Sequence, residues 1–250
     1  MGLRRGRQGA RRLADANLAT AWQVASLLLE YPTDELVCRV PMLREAVAGL
    51  PADVGGLLTA YLDVLEETDL GDLQRDYVDT FDVTRKCALH LTYFTHGDTR
   101  RRGVALVRIK QTYRRSGADL DTTELPDFLP VVLEFGAVHD LDEAWRILQD
   151  HRVGIEMLRL ALDRRSSRWL PVIDAVRACL PVLDGEGEEA VARLLAKGPP
   201  REEVGLDSAP YALDPRLNPR PEPYDDEPDG DQPLGASLDG GSRLREEVAR

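Results

Sequence analysis

The sequence predicts an all-α protein, a single helical-bundle domain of about nine or ten helices. Apolar residues recur at spacings of three and four from residue 14 to about residue 197, which is the period of an amphipathic helix. Alternation with a period of two, the pattern of a half-buried strand, is not sustained anywhere. No internal repeat of fixed period is present. These observations favour one helical bundle over a sheet protein or a repeat array.

Proline and cap residues delimit the first three predicted helices. Asp15 is a candidate N-cap for the first helix, which Pro32 ends. Thr33 can cap a second helix, which Pro41 interrupts. Pro51 suits the first turn of a third helix, because the missing N–H is not needed there.

The remaining helices follow from the same periodicity. They are predicted over residues 70–81, 86–95, 128–138, 140–163, 167–180 and 186–196. A further helix is predicted from Asp98 through Tyr113, with Arg114 and Arg115 in its last turn. Asp98 is a candidate cap for the helix that Gly117 closes, and Asp127 is a candidate cap for the helix over 128–138. That second helix is apolar nearly all round, with Glu134 as its only charge. We therefore predict a central helix in which Glu134 is a structural buried charge with an internal partner.

The two ends of the chain differ from its body in composition. Residues 1–13 carry five arginines without the apolar run of a signal peptide, which predicts a disordered basic leader. Residues 198–250 hold nine prolines, with 13 acidic and six basic residues, a net charge of −7. Such a segment cannot bury enough apolar surface to offset the entropy of ordering, which predicts a disordered acidic C-terminal tail. The helical domain is therefore expected at 14–197, and no stretch has the length of a membrane span.

Charge and cysteine content restrict the partners and the compartment. The formal net charge of −12 is unfavourable for nucleic-acid binding and favours cationic partners, including basic peptides, although it also serves solubility. The three cysteines, Cys38, Cys87 and Cys179, are odd in number and widely separated. They do not form a disulfide framework, and we predict a cytoplasmic protein.

Enzymatic chemistry has little support in the sequence, which lacks a Gly-rich phosphate loop, a Cys-x-x-Cys pair and a nucleophile elbow. The adjacent His139 and Asp140, with His90 or His96 upstream, leave a helical metal-dependent phosphohydrolase as an alternative, although Asp140 is also a plain helix cap. A second candidate metal site consists of Cys87, His90, His96 and Asp98. We predict no catalytic residues, no cofactor and no bound metal. A helical adaptor unrelated to metalloenzymes is the other alternative.

Two segments depart from local rules. Residues 96–103 (HGDTRRRG) place Arg100, Arg101 and Arg102 at a helix N-terminus, where cations oppose the helix dipole. Either internal carboxylates or a binding role must favour them. Residues 124–135 (ELPDFLPVVLEF) combine a sharply defined helix start with an apolar helix.

These two segments resemble the nitrate reductase molybdenum-cofactor assembly chaperones of the NarJ type, within the wider family that includes the TorD and DmsD chaperones. Residues 25–32 (ASLLLEYP) and 77–82 (YVDTFD) add to the resemblance. The order and spacing of the four segments agree over about residues 20 to 185. Together they are much more specific than any one of them.

The resemblance implies a TorD-like helical fold that binds the N-terminal peptide of the apo catalytic (alpha) subunit of a respiratory nitrate reductase. The chaperone would hold that subunit during molybdenum-cofactor insertion and be absent from the finished enzyme. The residues agree, because a helical body without catalytic groups can offer an apolar groove with an acidic rim to a basic amphipathic peptide. The predicted peptide-binding residues are Tyr77, Phe81, Leu125, Pro126 and Leu129 for the apolar wall, Asp127 as polar anchor, and Arg100 and Arg102 as organisers.

Overall fold

The computed structural model describes residues 13–97, 99–119 and 124–197, and all structural statements below concern these residues. The predicted basic leader, apart from its last residue, and the predicted acidic tail lie outside them. So does Asp98, the predicted cap. None of the described helices has the length and apolar character needed to cross a membrane.

Twelve α-helices make up the described part of the chain, which confirms the all-α prediction. They are α1 Asp15–Leu28, α2 Asp34–Cys38, α3 Val40–Ala48, α4 Ala52–Glu67, α5 Leu70–Tyr77, α6 Leu91–His96, α7 Arg100–Arg115, α8 Leu129–Val138, α9 Leu141–Asp150, α10 Arg152–Arg164, α11 Leu170–Cys179 and α12 Gly185–Lys197. A π-helical turn, Val78–Asp82, follows α5, and a 3-10 turn, Arg85–Cys87, precedes α6. The count exceeds the predicted nine or ten partly because the helix expected over 140–163 is divided at His151.

Local caps define two helix starts as the sequence predicts. The Thr33 side chain accepts a hydrogen bond from the Leu36 N–H at 3.2 Å, and the Asp140 side chain accepts one from the Glu143 N–H at 3.0 Å. Asp15 is the first residue of α1 instead of its cap. The predicted cap of α8 is also wrong, because Phe128 holds that position and the Asp127 side chain is used elsewhere.

The core is built around α1, whose Trp22 is fully buried. Trp22 stacks on Trp145 of α9 with ring centroids 6.3 Å apart. Helix α8 approaches α1 closely at Gly136, where a Cβ atom would lie 2.6 Å from Ala144 Cβ and 2.7 Å from the Trp22 ring. Only glycine permits this contact between the backbone of α8 and the two neighbouring helices, because any side chain would overlap atoms already in place.

A second aromatic cluster surrounds the fully buried Trp169, which precedes α11. Its ring centroid lies 5.8 Å from that of Tyr61 on α4, 5.6 Å from Tyr77 and 5.3 Å from Phe81. Aromatic pairs at these separations add to the stability gained from burial. The cluster fixes the end of α5 and the π-helical turn on the core, and thereby orients the side chains described next.

Candidate functional site

A cavity of about 460 Å³ opens between the C-terminal end of α1, the π-helical turn and the start of α8. Its lining combines aromatic and apolar side chains with four carboxylates. The lining residues are Glu30, Tyr31, Tyr77, Phe81, Asp82, Leu89, His90, Glu124, Phe128, Val131 and Glu134. We call this the acidic groove. Its volume lies within the range of ligand pockets and is sufficient for a few side chains of a partner.

Tyr77 forms the floor of the acidic groove and ties two helices together. Its hydroxyl donates a hydrogen bond to the Leu29 carbonyl at the end of α1, at 3.1 Å. Tyr31 packs edge-on against the Tyr77 ring with centroids 5.5 Å apart, and Phe81 packs at 4.8 Å. Burial raises the pKa of Tyr77 well above its ordinary value. Tyr77 is thus neutral, and the exposed Tyr31 is the aromatic ring that a ligand meets first.

The carboxylates give the groove a negative rim. Glu30 follows α1, Asp82 ends the π-helical turn, Glu124 precedes α8 and Glu134 lies on α8. Among the described residues, no arginine or lysine forms an ion pair with Glu30, Asp82 or Glu134. Partial burial of the Glu30 carboxyl raises its pKa, and repulsion from Glu134 and Glu124 raises it further, against the opposing effect of Arg39. A cation in the groove would relieve this repulsion.

His90 and Phe128 form the opposite wall, where two extended segments meet. The Leu91 N–H donates to the Asp127 carbonyl at 3.0 Å, and the Leu129 N–H donates to the Leu89 carbonyl at 2.8 Å. This antiparallel bridge holds the rings of His90 and Phe128 with centroids 5.5 Å apart. The wall therefore depends on backbone pairing between residues nearly 40 positions apart in sequence.

Asp127, predicted as the polar anchor of the peptide, is fully buried and bonded inside the protein, which corrects that prediction. Its carboxylate accepts hydrogen bonds from the Thr92 N–H at 3.1 Å and from the Thr92 hydroxyl, and lies 3.3 Å from His90 Nδ1. Burial acts to raise the pKa of Asp127, but the hydrogen bonds from His90 and Thr92 outweigh it and hold the pKa below its usual value. The extended bridge turns this side chain towards α6, so Asp127 caps α6 and not α8.

Most of the other predicted site residues lie outside the lining of the groove. Leu129 is fully buried, and the carbonyl of the buried Pro126 accepts a hydrogen bond from the Tyr113 hydroxyl at 2.7 Å. Leu125 is partly exposed beside the groove. Arg102 Nε donates to the Thr92 hydroxyl at 3.4 Å and so supports the Asp127 network, while Arg100 is exposed on α7. Of the predicted set, only Tyr77 and Phe81 line the groove.

Glu134 is exposed at the groove, so its prediction as a buried, internally paired charge is wrong. Helix α8 is covered by α1 and α9 on one side only. Val131, Glu134 and Val138 follow one another along the other side, and Val138 is 61% exposed. The apolar composition of α8 therefore reflects partly the core and partly the apolar lining of the groove.

Sequence reasoning missed much of the acidic groove, although the signal was partly present. Glu30 and Tyr31 lie in segment 25–32, and Glu124 and Phe128 lie in segment 124–135, so the segments that carry the resemblance contain them. A carboxylate within four positions of an aromatic residue in each segment was the available clue. Leu89, His90 and Val131 carried no such signal as groove residues.

The candidate metal ligands are not assembled in the described part of the chain, where no group of three or more His, Cys, Asp and Glu side chains could hold a metal ion. Asp140 caps α9 and also accepts a hydrogen bond from the Ser116 hydroxyl at 2.7 Å. His139 is exposed and stacks on Phe135 at 6.2 Å. His90 is engaged with Asp127. These contacts account for His90, His139 and Asp140, three of the residues on which the hydrolase alternative depended.

Comparison with known proteins connects the chain to one family. Residues 47–175 match the family model of the nitrate reductase delta subunit. The chain is 39% identical to nitrate reductase-like protein NarX of Mycobacterium tuberculosis over 155 residues, covering 62% of this chain and 23% of that protein. It therefore spans less than a quarter of the length of that relative.

Two shorter relatives carry the name of an assembly chaperone. The probable nitrate reductase molybdenum cofactor assembly chaperone NarJ of Bacillus subtilis is 28% identical over 62% of this chain and 85% of its own length. The nitrate reductase molybdenum cofactor assembly chaperone NarJ of Escherichia coli is 34% identical over 60% of this chain and 65% of its own length. The crystal structure of a putative redox enzyme maturation protein from Archaeoglobus fulgidus aligns with a TM-score of 0.49 at 22% identity, covering 64% of this chain and 91% of that chain.

Proposed function

Because the chain belongs to the nitrate reductase delta subunit family, whose model matches more than half of its residues, we propose that it is an assembly chaperone and not an enzyme. It binds the N-terminal peptide of the apo catalytic (alpha) subunit of a respiratory nitrate reductase and assists insertion of the molybdenum cofactor. The names of the Bacillus subtilis and Escherichia coli relatives support this role. All three cysteines are free thiols, which supports a reducing, cytoplasmic setting.

The acidic groove is the observation that carries the proposal. Tyr31, Tyr77 and Phe128 offer apolar surface inside a cavity of about 460 Å³. A groove of this size takes one or two apolar anchors from an amphipathic helix, and the remainder of the peptide lies across its mouth. This mode of binding needs no catalytic group and releases the client unchanged, as assembly of a separate enzyme requires.

Charge determines which peptides the groove favours. Glu30, Asp82 and Glu134 line the groove without an ion-pair partner among the described residues. An N-terminal peptide brings its α-amino group and its basic side chains, which a negative rim attracts and orients. Acidic or neutral peptides gain no such attraction. The proposed client is therefore an amphipathic, basic N-terminal segment.

Calorimetric titration tests the proposal directly. The purified chain is titrated with a peptide from the N-terminus of the proposed client, a nitrate reductase catalytic subunit, and with a scrambled peptide of the same composition. Tyr31→Ala and Glu30→Gln should each weaken binding by about fivefold to thirtyfold, as truncation of interface residues worth 1 to 2 kcal/mol does. Met42→Ala and Glu45→Gln are matched controls, because both residues are exposed and lie outside the groove lining. Equal loss in the controls, or equal binding of the scrambled peptide, would argue against the groove.

The assembly role needs a second measurement, since peptide binding alone also suits an adaptor. Deletion of the gene should leave the catalytic subunit present but deficient in molybdenum when the purified enzyme is analysed for the metal. Expression of the unaltered chain should restore the metal content, and the Tyr31→Ala variant should restore it incompletely. Full molybdenum content in the deletion strain would contradict the chaperone role.

A further inference from the structure

Helix α7 concentrates positive charge in an otherwise acidic protein. Its 16 residues include seven basic residues and no acidic residue. They are Arg100, Arg101, Arg102, Arg108, Lys110, Arg114 and Arg115. The whole chain has a formal net charge of −12. The proposed peptide-binding function uses none of this charge, because no α7 residue lines the acidic groove.

The pairing of arginines differs between α7 and the rest of the described chain. Ten arginines outside α7 form ion pairs with carboxylates, namely Arg39, Arg44, Arg75, Arg146, Arg152, Arg159, Arg165, Arg168, Arg177 and Arg193. On α7, Arg101, Arg108, Lys110 and Arg114 are exposed, and none forms an ion pair within the part of the chain that the structure describes. No ion pair among the described residues therefore neutralises the charge of these four side chains.

The exposed face of α7 also carries apolar surface at its centre. The helix is buried through Ile109, Thr112 and Tyr113, which leaves the opposite side open. At 100° per residue, Val104 and Val107 lie near the middle of that open side, and they are 54% and 55% exposed. Arg101 and Arg108 fall on one flank, and Lys110 and Arg114 fall on the other. The result is a valine pair bordered by cations on both sides, which we call the basic face.

Electrostatic screening lets the basic face act independently of the acidic body. The Debye length is about 8 Å at physiological ionic strength, so carboxylates on distant helices do not cancel the local charge. Within the protein, burial lowers the pKa of His96, and electrostatic interactions with His151, Arg101 and Arg108 lower it further. The same local excess of positive charge is available to a partner outside the protein.

We propose that the basic face docks the protein onto an anionic phospholipid surface. Helix α7 is about 24 Å long, and its seven basic residues complement the phosphates of an anionic lipid surface in charge. Cations on both flanks meet lipid phosphates while the two valines enter the boundary with the acyl chains, as in interfacial amphipathic helices. Nucleic acid suits this face less well, since it offers no aromatic ring for stacking and places valines where base or phosphate contacts are needed. The proposal does not depend on the identity of the peptide client.

Co-sedimentation with lipid vesicles tests the proposal on the full chain. Vesicles of phosphatidylcholine with phosphatidylglycerol should sediment the protein, vesicles of phosphatidylcholine alone should not, and added salt should release it. The variant Arg101→Gln/Arg108→Gln/Lys110→Gln/Arg114→Gln should lose about a hundredfold or more in vesicle affinity, since each of the four basic residues contributes about fivefold near such a surface. Glutamine keeps high helix propensity, and circular dichroism verifies the fold of the variant.

A matched control variant separates a local face from general charge. Arg85→Gln/Lys86→Gln/Arg164→Gln/Lys197→Gln removes the same number of exposed cations outside α7 and should retain vesicle binding. Val104→Gln/Val107→Gln should weaken binding to the anionic vesicles while the electrostatic attraction remains. No sedimentation with anionic vesicles, or equal loss in the control, would overturn the proposal. The proposal would also be overturned if the unaltered chain bound a labelled oligonucleotide, the α7 variant did not, and neither protein bound vesicles. Client-peptide affinity measured on the α7 variant should stay unchanged, which distinguishes failure here from failure of the groove.

Discussion

The carboxylate of Asp127 accepts a hydrogen bond from the Thr92 N–H at 3.1 Å, across 35 positions of sequence. This contact caps α6 with a residue from the start of α8 and positions His90, which lines the acidic groove. The Thr92 hydroxyl also donates a hydrogen bond to Asp127, and it accepts one from Arg102 Nε of α7. One buried carboxylate therefore joins three helices behind the groove wall.

Replacement of Asp127 should affect stability more than binding. Asp127→Asn removes an acceptor from a buried, charge-assisted network and should lower the free energy of unfolding by about 1 to 3 kcal/mol. Urea denaturation measures this, with Asp119→Asn as a control at an exposed site. Folded Asp127→Asn should bind the client peptide nearly as well as the unaltered chain. A loss of peptide affinity without a loss of stability would indicate that Asp127 contacts the peptide.

The stability of the protein should depend on pH through the same residue. The folded-state pKa of Asp127 lies below its ordinary value of 3.8, so the unfolded chain takes up this proton first as the pH falls. The contribution of the Asp127 carboxylate to the free energy of unfolding is therefore complete above a pH of about 3.8. It is lost as the pH falls through the lower pKa of the folded state. Urea titrations over this acidic range should show a weaker pH dependence for Asp127→Asn. If the free energy of unfolding changed with pH equally in the unaltered chain and in Asp127→Asn, Asp127 would not be the residue responsible.

Glu134→Ala should be nearly neutral for folding, because the side chain is exposed and has no ion-pair partner among the described residues. Surface substitutions of this kind change stability by less than about 0.5 kcal/mol. The affinity for a basic client peptide should fall, since one charge of the groove rim is lost. Thermal denaturation and calorimetric titration measure the two effects separately. A thermal midpoint many degrees lower would indicate a buried role after all.

Gly136→Ala should destabilise the contact between α8 and α1. The added Cβ would lie 2.6 Å from Ala144 Cβ and 2.7 Å from the Trp22 ring, and both belong to the rigid core. Overpacking of this kind lowers the free energy of unfolding by about 1 to 3 kcal/mol. Gly56→Ala is the matched control, because its Cβ would meet nothing within 4 Å on α4. Gly56→Ala should raise the free energy of unfolding by about 0.4 to 1 kcal/mol. If both substitutions changed the free energy of unfolding in the same direction, the close contact at Gly136 would not be the cause.

Truncation after Lys197 should leave the thermal midpoint nearly unchanged. The removed residues carry nine prolines and a net charge of −7, a composition that does not support a core. Differential scanning calorimetry of the full chain and of residues 1–197 provides the comparison. A much lower midpoint in the shorter chain would show that the segment contains a structural element that its composition conceals.

The sequence by itself determined the all-α class, most helix positions and the two caps Thr33 and Asp140, because these depend on contacts within three or four residues. The hydrogen bonds from the Leu36 N–H to Thr33 and from the Glu143 N–H to Asp140 are of this kind. The apolar spacing also identified Tyr77 and Phe81, which are buried and line the groove. Local pattern is sufficient wherever the partner of a residue is nearby in the chain.

Only the tertiary structure decided the roles of Asp127 and Glu134. The partner of Asp127 is Thr92, and no local pattern links residues so far apart. Glu134 faces solvent because α1 and α9 cover one side of α8 and leave the other open, which the composition of a single helix does not reveal. The acidic groove likewise exists because Glu30, Asp82 and Glu124 come from segments that only packing brings together. Each of these roles depends on which surface lies opposite a residue, and that is a property of the folded chain.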